Sequence, residues 1–227
     1  MTAAPSVIAR PADLSRLIDH TILRPDATAE QVRRICAEAI EHRFFAVCVN
    51  PVFVPLVAGA LAGSLVAACS VIGFPFGATA TAMKAAEAAW AVGEGAQEID
   101  MVIHVGALKA GEHGAVRADI AAVKQACGAA LLKVIIETCL LTDEEKRIAC
   151  RLSAEAGADY VKTSTGFGGG GATVADVALM RAVVGDALGV KASGGVRDYP
   201  TALAMARAGA SRIGASASVA IVTADTP

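Results

Sequence analysis

Three lysines of this 227-residue chain, Lys133, Lys162 and Lys191, stand inside short apolar runs. The runs are rich in β-branched residues, a composition typical of buried strands. Burial disfavours the ammonium form of lysine, so a lysine in such a strand tends to become a nucleophilic amine near neutral pH. The three runs therefore indicate amine chemistry in a buried site. The alternative is a lysine near a strand end that reaches solvent or pairs with a carboxylate.

Carboxylates occupy comparable positions, with Asp19, Asp100 and Glu137 also inside strand-like runs. An unpaired buried charge costs several kcal/mol, so such residues usually have a task. Neighbouring strands lie about 4.8 Å apart, so the three lysines can meet in one small volume. Repulsion between ammonium groups then lowers the pKa of the lysine in the middle strand, Lys162, which we predict to be the nucleophile. The alternative is an ion-pair lattice in which Asp100 and Glu137 only neutralise the lysines.

The elements that position these residues alternate regularly along the chain. Strands are predicted at 19–23, 45–49, 65–72, 98–105, 131–137, 160–164, 189–192 and 211–215, and helices at 13–18, 28–42, 52–61, 79–93, 111–127, 142–157, 173–188 and 199–208. Eight strand–helix units predict an α/β fold, a single (β/α)8 TIM barrel with a short N-terminal helix, over one domain at 1–227. A doubly wound open sheet has the same local alternation. In a barrel, the active site lies at the C-terminal ends of the strands.

Glycines mark a second set of candidate site residues at those strand ends. Gly166 follows the sixth strand, Gly194 and Gly195 follow the seventh, and Gly214 and Ser216 close the eighth. Backbone N–H groups at such places can approach an anion, and the loops after strands seven and eight form the usual phosphate site of barrels. The pattern therefore predicts a phosphorylated substrate, although each cluster alone would be read as a turn.

The composition narrows the possible partners. A net charge of −2 and a pI near 6.1 give no basic surface for nucleic acid or acidic membranes, so small molecules or a second copy of the chain are expected. Residues 44–83 carry no charge, a length that suggests a membrane span. Asn50-Pro51, Gly63-Ser64 and the Gly-Phe-Pro-Phe-Gly segment at 73–77 divide this stretch into pieces the size of strands and helices, so we predict buried elements and no membrane.

The six cysteines form no CxxC pair and no metal-ligand spacing with the four histidines. We therefore expect reduced thiols and no metal site. The N-terminal segment lacks the basic start and apolar run of a signal peptide, which favours a cytoplasmic location.

Six strand motifs carry a resemblance to a known family. They are Ile18-Asp19-His20-Thr21, Ala46-Val47-Cys48-Val49-Asn50-Pro51, Glu98-Ile99-Asp100-Met101-Val102, Leu132-Lys133-Val134-Ile135-Ile136-Glu137-Thr138, Val161-Lys162-Thr163-Ser164-Thr165-Gly166-Phe167 and Val190-Lys191-Ala192-Ser193-Gly194-Gly195-Val196-Arg197. Together and in this order the chain resembles deoxyribose-phosphate aldolase over residues 17–222. The two motifs that contain Lys162 and Lys191 are the most specific part of the match.

The resemblance implies a class I aldolase that reversibly cleaves 2-deoxy-D-ribose 5-phosphate into D-glyceraldehyde 3-phosphate and acetaldehyde, without metal or cofactor, in deoxyribose phosphate breakdown. It implies that Lys162 forms the Schiff base, that Lys191 lowers its pKa, and that Asp100 serves with Lys191 and a bound water in a proton relay. A protonated imine is an electron sink for carbon–carbon cleavage, which agrees with the amine chemistry deduced from the strands.

The resemblance also assigns supporting roles. Asp19 and Lys133 match positions that hold the relay, and Cys48 matches a position near the site. Substrate and phosphate contacts fall on Thr165, Gly166, Gly194, Gly195, Gly214 and Ser216. Ala217 stands where family members commonly have a second serine, so a hydroxyl contact to phosphate is missing there.

Two rival functions stay open at this point, and one expectation concerns assembly. A Schiff-base barrel lyase with a ketone donor would keep the adduct on Lys162, whereas a barrel that isomerises or only binds a phosphate would form no adduct. The apolar helices indicate a possible homodimer.

Overall fold

Residues 8–225, which a computed structural model describes, form a closed barrel of eight parallel strands. The strands are β1 (Ile18–Ile22), β2 (Ala46–Val49), β3 (Ala67–Ile72), β4 (Glu98–Val102), β5 (Leu131–Ile135), β6 (Tyr160–Lys162), β7 (Gly189–Ser193) and β8 (Arg212–Ala215). Each strand pairs with the next, and β8 pairs with β1 in a register that joins Ile18 to Ile213. This closure confirms the predicted TIM barrel and excludes the open sheet.

Helices connect the strands on the outside of the barrel. They are α1 (Ala29–Glu41), α2 (Val54–Ala60), α3 (Thr81–Gly93), α4 (Val105–Lys109), α5 (His113–Cys127), α6 (Asp143–Glu155), α7 (Val174–Val184), α8 (Tyr199–Arg207) and α9 (Ser218–Val222). Capping boxes begin two of them: Thr28 and Gln31 cap α1, and Thr142 and Glu145 cap α6.

Several boundaries differ from the sequence prediction. The N-terminal helix is a 3-10 helix, Pro11–Leu17, with proline in its first turn. The fourth strand ends at Val102 instead of 105, because the His104 ring accepts the Ala107 N–H at 3.0 Å and begins α4. The fifth strand ends at Ile135 instead of 137, where Glu137 turns the chain with a φ of 56°. The five-residue helix α9 was not predicted.

The uncharged stretch 44–83 folds as β2, α2, β3 and the loop before α3, as the internal punctuation predicts. Between residues 8 and 225, no helix has both the length and the apolarity needed to cross a membrane.

Candidate active site

Asp100 brings the three strand lysines together inside the barrel. Its Oδ1 accepts from Lys133 Nζ at 2.7 Å, and its Oδ2 accepts from Lys162 Nζ at 2.7 Å and from Lys191 Nζ at 2.8 Å. The register explains the meeting, because Asp100 pairs with Lys133 across β4 and β5, and Lys162 pairs with Lys191 across β6 and β7. The predicted convergence of the lysines is confirmed.

A second set of buried charges lies beside this one, and two of its members, Arg212 and Glu98, were not predicted from the sequence. Arg212 on β8 donates to Asp19 at 2.6 Å and to both oxygens of Glu98, at 3.1 and 3.0 Å. Asp19 also accepts from Lys191, and Glu98 lies 2.6 Å from Lys133. The signal that identified the lysines, a charged residue inside a largely apolar strand, applies equally to Arg212 and Glu98 and could have identified them.

These seven residues form one lattice with four cations and three carboxylates: Lys133, Lys162, Lys191 and Arg212 against Asp19, Glu98 and Asp100. The lattice is neutral when one of the lysines is an uncharged amine. Lys162 is bound only to Asp100 within the lattice and is 3% exposed, whereas Lys133 and Lys191 are 0% exposed. Lys162 is also the one lysine of the three that lines the adjoining cavity.

The pKa shifts follow this arrangement. Burial alone would favour the neutral form of Asp100, but Lys133, Lys162 and Lys191 hold its pKa well below the usual range. Burial likewise opposes charge on Lys191, yet Asp100 and Asp19 hold the pKa of Lys191 above its usual range. Lys191 is therefore an ammonium at neutral pH, and it shares one carboxylate oxygen with Lys162.

Two groups of buried cysteine and carboxylate side chains lie close enough together to be considered as metal ligands. Cys48, Cys69 and Asp100 offer three ligand atoms within 4.8 Å of one another, as do Asp19, Cys69 and Glu98. Lys133 Nζ already lies 3.4 Å from Cys69 Sγ and 2.7 Å from Asp100, so a buried ammonium supplies the cation there. A metal ion would have to displace it against the charge of the neighbouring lysines.

Cys48 is completely buried on β2 and does not line the cavity. Its hydrogen bond with Cys69, and then Lys191, lowers the pKa of the Cys48 thiol, although burial opposes this. Burial raises the pKa of Cys69 well above its usual value.

A cavity of about 830 Å³ opens at the C-terminal end of the strands. Most predicted binding residues line it: Lys162, Thr165, Gly166, Gly194, Gly195, Gly214 and Ser216. The other predicted site residues, Asp19, Cys48, Asp100, Lys133 and Lys191, lie beneath its floor, buried in the barrel. Arg197, Ser193 and His20 also line it and had been given no role from the sequence.

Glu137 does not neutralise a lysine, so that part of the ion-pair alternative is wrong. Its carboxylate accepts the Thr165 backbone N–H at 3.2 Å and also the Thr165 hydroxyl. Thr165 Oγ1 in turn accepts the Phe167 N–H at 3.0 Å. The physical reason is the turn at Glu137, which takes its side chain out of the strand and against the loop that follows β6. Glu137 thus fixes the loop that carries two predicted substrate contacts.

His20 ties the first residue of helix α9, Ser218, to helix α1. Its Nδ1 lies 2.9 Å from Ser218 Oγ, and its Nε2 lies 2.7 Å from Glu38 Oε2. Ser218 Oγ also donates to the carbonyl of Ala215 at 2.9 Å, and Ser218 is completely buried. Burial lowers the pKa of His20, although Glu38 favours the charged ring. The His20 ring therefore stabilises the segment that contains Ala217, through Ser218 and its bond to Ala215.

Comparison with known proteins identifies the family. Residues 14–223 match the family model described as DeoC/LacD family aldolase. The chain belongs to this aldolase family. The resemblance found in the strand motifs is confirmed, and the chain is a carbon–carbon lyase.

Individual relatives agree with the family match. The chain is 69% identical to a deoxyribose-phosphate aldolase of Rhodospirillum rubrum, over 93% of this chain and 89% of the relative. It is 63% identical to a deoxyribose-phosphate aldolase of Brevibacillus brevis, over 93% and 96% of the two chains. Its fold is similar to the tetrameric deoxyribose phosphate aldolase of Aeropyrum pernix, with a TM-score of 0.89 at 36% identity, covering 95% of this chain and 92% of that one.

Proposed function

We propose that this chain reversibly cleaves 2-deoxy-D-ribose 5-phosphate into D-glyceraldehyde 3-phosphate and acetaldehyde through a Schiff base on Lys162. The observation that supports this most directly is the position of Lys162. It reaches the cavity while sharing Asp100 Oδ2 with the buried ammonium of Lys191. A lattice with one cation in excess accommodates a neutral amine at this position, which is what attack on an aldehyde requires.

The proposed reaction follows from these groups. The Lys162 amine attacks the C1 aldehyde and water leaves, which gives a protonated imine. The C3 hydroxyl then loses its proton as the C2–C3 bond breaks, and the electron pair moves into the imine to form an enamine. D-glyceraldehyde 3-phosphate leaves, C2 is protonated, and water releases acetaldehyde. Asp100, Lys191 and a bound water are proposed to carry these protons.

The phosphate is proposed to bind at the loops after β6, β7 and β8. Gly166, Gly194, Gly195, Gly214 and Ser216 share the cavity wall there. Gly194 and Gly195 have φ values of 85° and 78°, a conformation that favours glycine and turns their backbone groups as a loop around an anion requires. Arg197, two residues further on, adds a cation to the same wall.

We further propose that residues 1–227 form one domain that acts in the cytoplasm in deoxyribose phosphate breakdown. The proposed partners are the small sugar phosphate and aldehyde, without a metal or cofactor, and a second copy of the chain. Helix α3 supports a homodimer, since Met83 and Trp90 are 58% and 46% exposed and lie one above the other on the same face. The charged residue between them, Glu87, is turned aside to accept the Gly73 N–H at 2.7 Å. Light scattering on the wild-type chain and on Trp90→Glu tests this, because a dimer through α3 should dissociate in the variant.

The Schiff base is tested by intact-protein mass after incubation with acetaldehyde and borohydride. A reduced two-carbon adduct is expected, and peptide mapping should place it on Lys162. The matched control is Lys162→Arg, which keeps the cation but offers no imine-forming amine. A coupled assay for D-glyceraldehyde 3-phosphate then tests the substrate. A folded wild-type protein without adduct would contradict the proposal and favour an isomerase or a binding protein.

A further inference from the structure

Ser193 lines the cavity and carries a hydroxyl that is buried beside Gly214 without a hydrogen-bond partner. Its Oγ contacts no donor or acceptor of residues 8–225, although Ser193 is only 6% exposed. A buried polar atom is paired in most proteins, and an unpaired one costs about 1–3 kcal/mol. Because Ser193 lines the cavity, a ligand in the cavity is the natural partner for this hydroxyl.

The backbone around Ser193 holds the residue firmly in place. Its N–H donates to Thr163 Oγ1 at 3.0 Å, and its carbonyl accepts from the same hydroxyl at 3.1 Å. The side chain lies over Gly214, where a Cβ would come within 2.3 Å of Ser193 Oγ. The hydroxyl therefore occupies space that the missing side chain of Gly214 leaves free. Backbone hydrogen bonds to Thr163 hold Ser193 in place, and its side chain takes no part in them.

Ser193 stands between the two ends of the proposed substrate. Lys191, which shares a carboxylate oxygen with Lys162, precedes it by two residues on β7, and Gly194 of the phosphate loop follows it directly. The open-chain sugar phosphate carries hydroxyls only on C3 and C4 between its aldehyde and its phosphate. Since Ser193 adjoins the phosphate loop, the hydroxyl nearest to it is the one on C4.

The hydroxyl of Thr165, which also lines the cavity, has a different hydrogen-bonding capacity. Its hydroxyl hydrogen is donated to Glu137 and one lone pair accepts from Phe167, so it can offer only an acceptor to the cavity. The hydroxyl hydrogen of Ser193 is free to be donated. Of these two cavity residues, Thr165 is therefore a fixed acceptor and Ser193 a free donor.

We propose that Ser193 is a substrate-binding residue that hydrogen-bonds the C4 hydroxyl of the sugar phosphate and so selects substrates that carry it. This proposal rests on the proposed function. C4 of the sugar phosphate becomes C2 of D-glyceraldehyde 3-phosphate, so the same contact operates on the acceptor aldehyde in the reverse reaction.

The test compares two acceptors in the condensation with acetaldehyde: D-glyceraldehyde 3-phosphate and 3-oxopropyl phosphate, which lacks the hydroxyl. Ser193→Ala should lower kcat/KM about three- to tenfold for the first, the range expected for one neutral hydrogen bond. It should leave kcat/KM for the second within about twofold of the wild type, because there is no bond to lose. An equal loss with both acceptors would overturn the proposal.

Thermal unfolding without ligand is a second measurement, in which Ser193→Ala should not show the loss expected for its activity. Ser193→Ala removes no protein hydrogen bond, so the melting temperature should stay constant or rise. The matched control is Ser153→Ala in α6, a completely buried serine whose hydroxyl donates to the Ala149 carbonyl at 2.7 Å. This control should melt earlier and treat both acceptors as the wild type does. A clear fall in the melting temperature of Ser193→Ala would indicate a structural role instead.

Failure of the proposed function is distinguishable from failure of this inference. If the wild-type chain condenses neither acceptor with acetaldehyde, the aldolase proposal itself fails. If it condenses both and Ser193→Ala does not discriminate between them, only the role of Ser193 is refuted.

Discussion

Replacing Gly214 with alanine should damage both the stability and the catalysis of this enzyme. An added Cβ would lie 2.3 Å from Ser193 Oγ, 3.1 Å from Lys191 Cε and 3.2 Å from Ser193 Cβ. The first contact is closer than atoms allow, and the second presses on the lysine that shares Asp100 with Lys162. Because Gly214 has no positive φ, the effect comes from crowding and not from backbone strain.

Crowding of this kind in a packed interior costs about 1–3 kcal/mol. At roughly 2–4 °C per kcal/mol for a protein of this size, the melting temperature should fall by about 2–12 °C. Displacement of Lys191 and of the proposed phosphate loop should lower kcat/KM by at least about tenfold, since reacting groups tolerate little misplacement. Calorimetry and the coupled aldolase assay measure the two effects.

The control is Gly114→Ala on the first turn of α5, where an added Cβ meets no atom within 4 Å. It should leave activity unchanged and raise stability by about 0.5–1 kcal/mol through helix propensity. A rescue test is Ser193→Ala combined with Gly214→Ala, which removes the 2.3 Å contact and should recover part of the lost stability. Wild-type stability and activity in Gly214→Ala alone would refute the packing argument.

Two further predictions concern the buried charges. Arg212→Met removes the guanidinium that joins Asp19 to Glu98 and leaves these carboxylates with Lys191 and Lys133, so the free energy of unfolding should fall by up to about 3–5 kcal/mol. Arg212→Lys should show only part of this calorimetric shift, and equal melting of the wild type and Arg212→Met would contradict the prediction. The pKa of His20 is lower in the folded protein than its usual value of 6.5, so the unfolded chain binds this proton first as the pH is lowered. The melting temperature should therefore fall as the pH is lowered below 6.5. A second fall should start below about pH 3.8, because the folded pKa of Asp100 lies below that value and the stabilisation from its carboxylate is lost as the pH falls. His20→Asn should remove the first fall and keep the second, and an unchanged pH curve in this variant would show that another group is responsible.

The alternation of apolar strands and amphipathic helices was sufficient to predict the barrel, because each strand–helix unit is a local pattern. The same local signal identified Lys133, Lys162, Lys191, Asp19 and Asp100 as buried charges. It failed for Glu137, because the chain turns there with a positive φ that an apolar sequence run does not reveal.

Pairings between distant residues could not be read from the sequence. Arg212 meets Glu98 across 114 residues, and His20 meets Ser218 across 198, contacts that exist only because β8 closes on β1. The Ser193 hydroxyl likewise lacks a partner within residues 8–225 because of what surrounds it in the fold, which the sequence does not show.

The sequence by itself therefore determined the fold class, the family resemblance and the lysines on which the chemistry is proposed to depend, because these follow from residue type and local spacing. Only the tertiary structure decided which lysine reaches the cavity, which carboxylate joins all three, and which cavity hydroxyl has no partner among residues 8–225. The physical reason is barrel closure, which brings side chains from distant strands within hydrogen-bonding distance and sets the burial and charge of each.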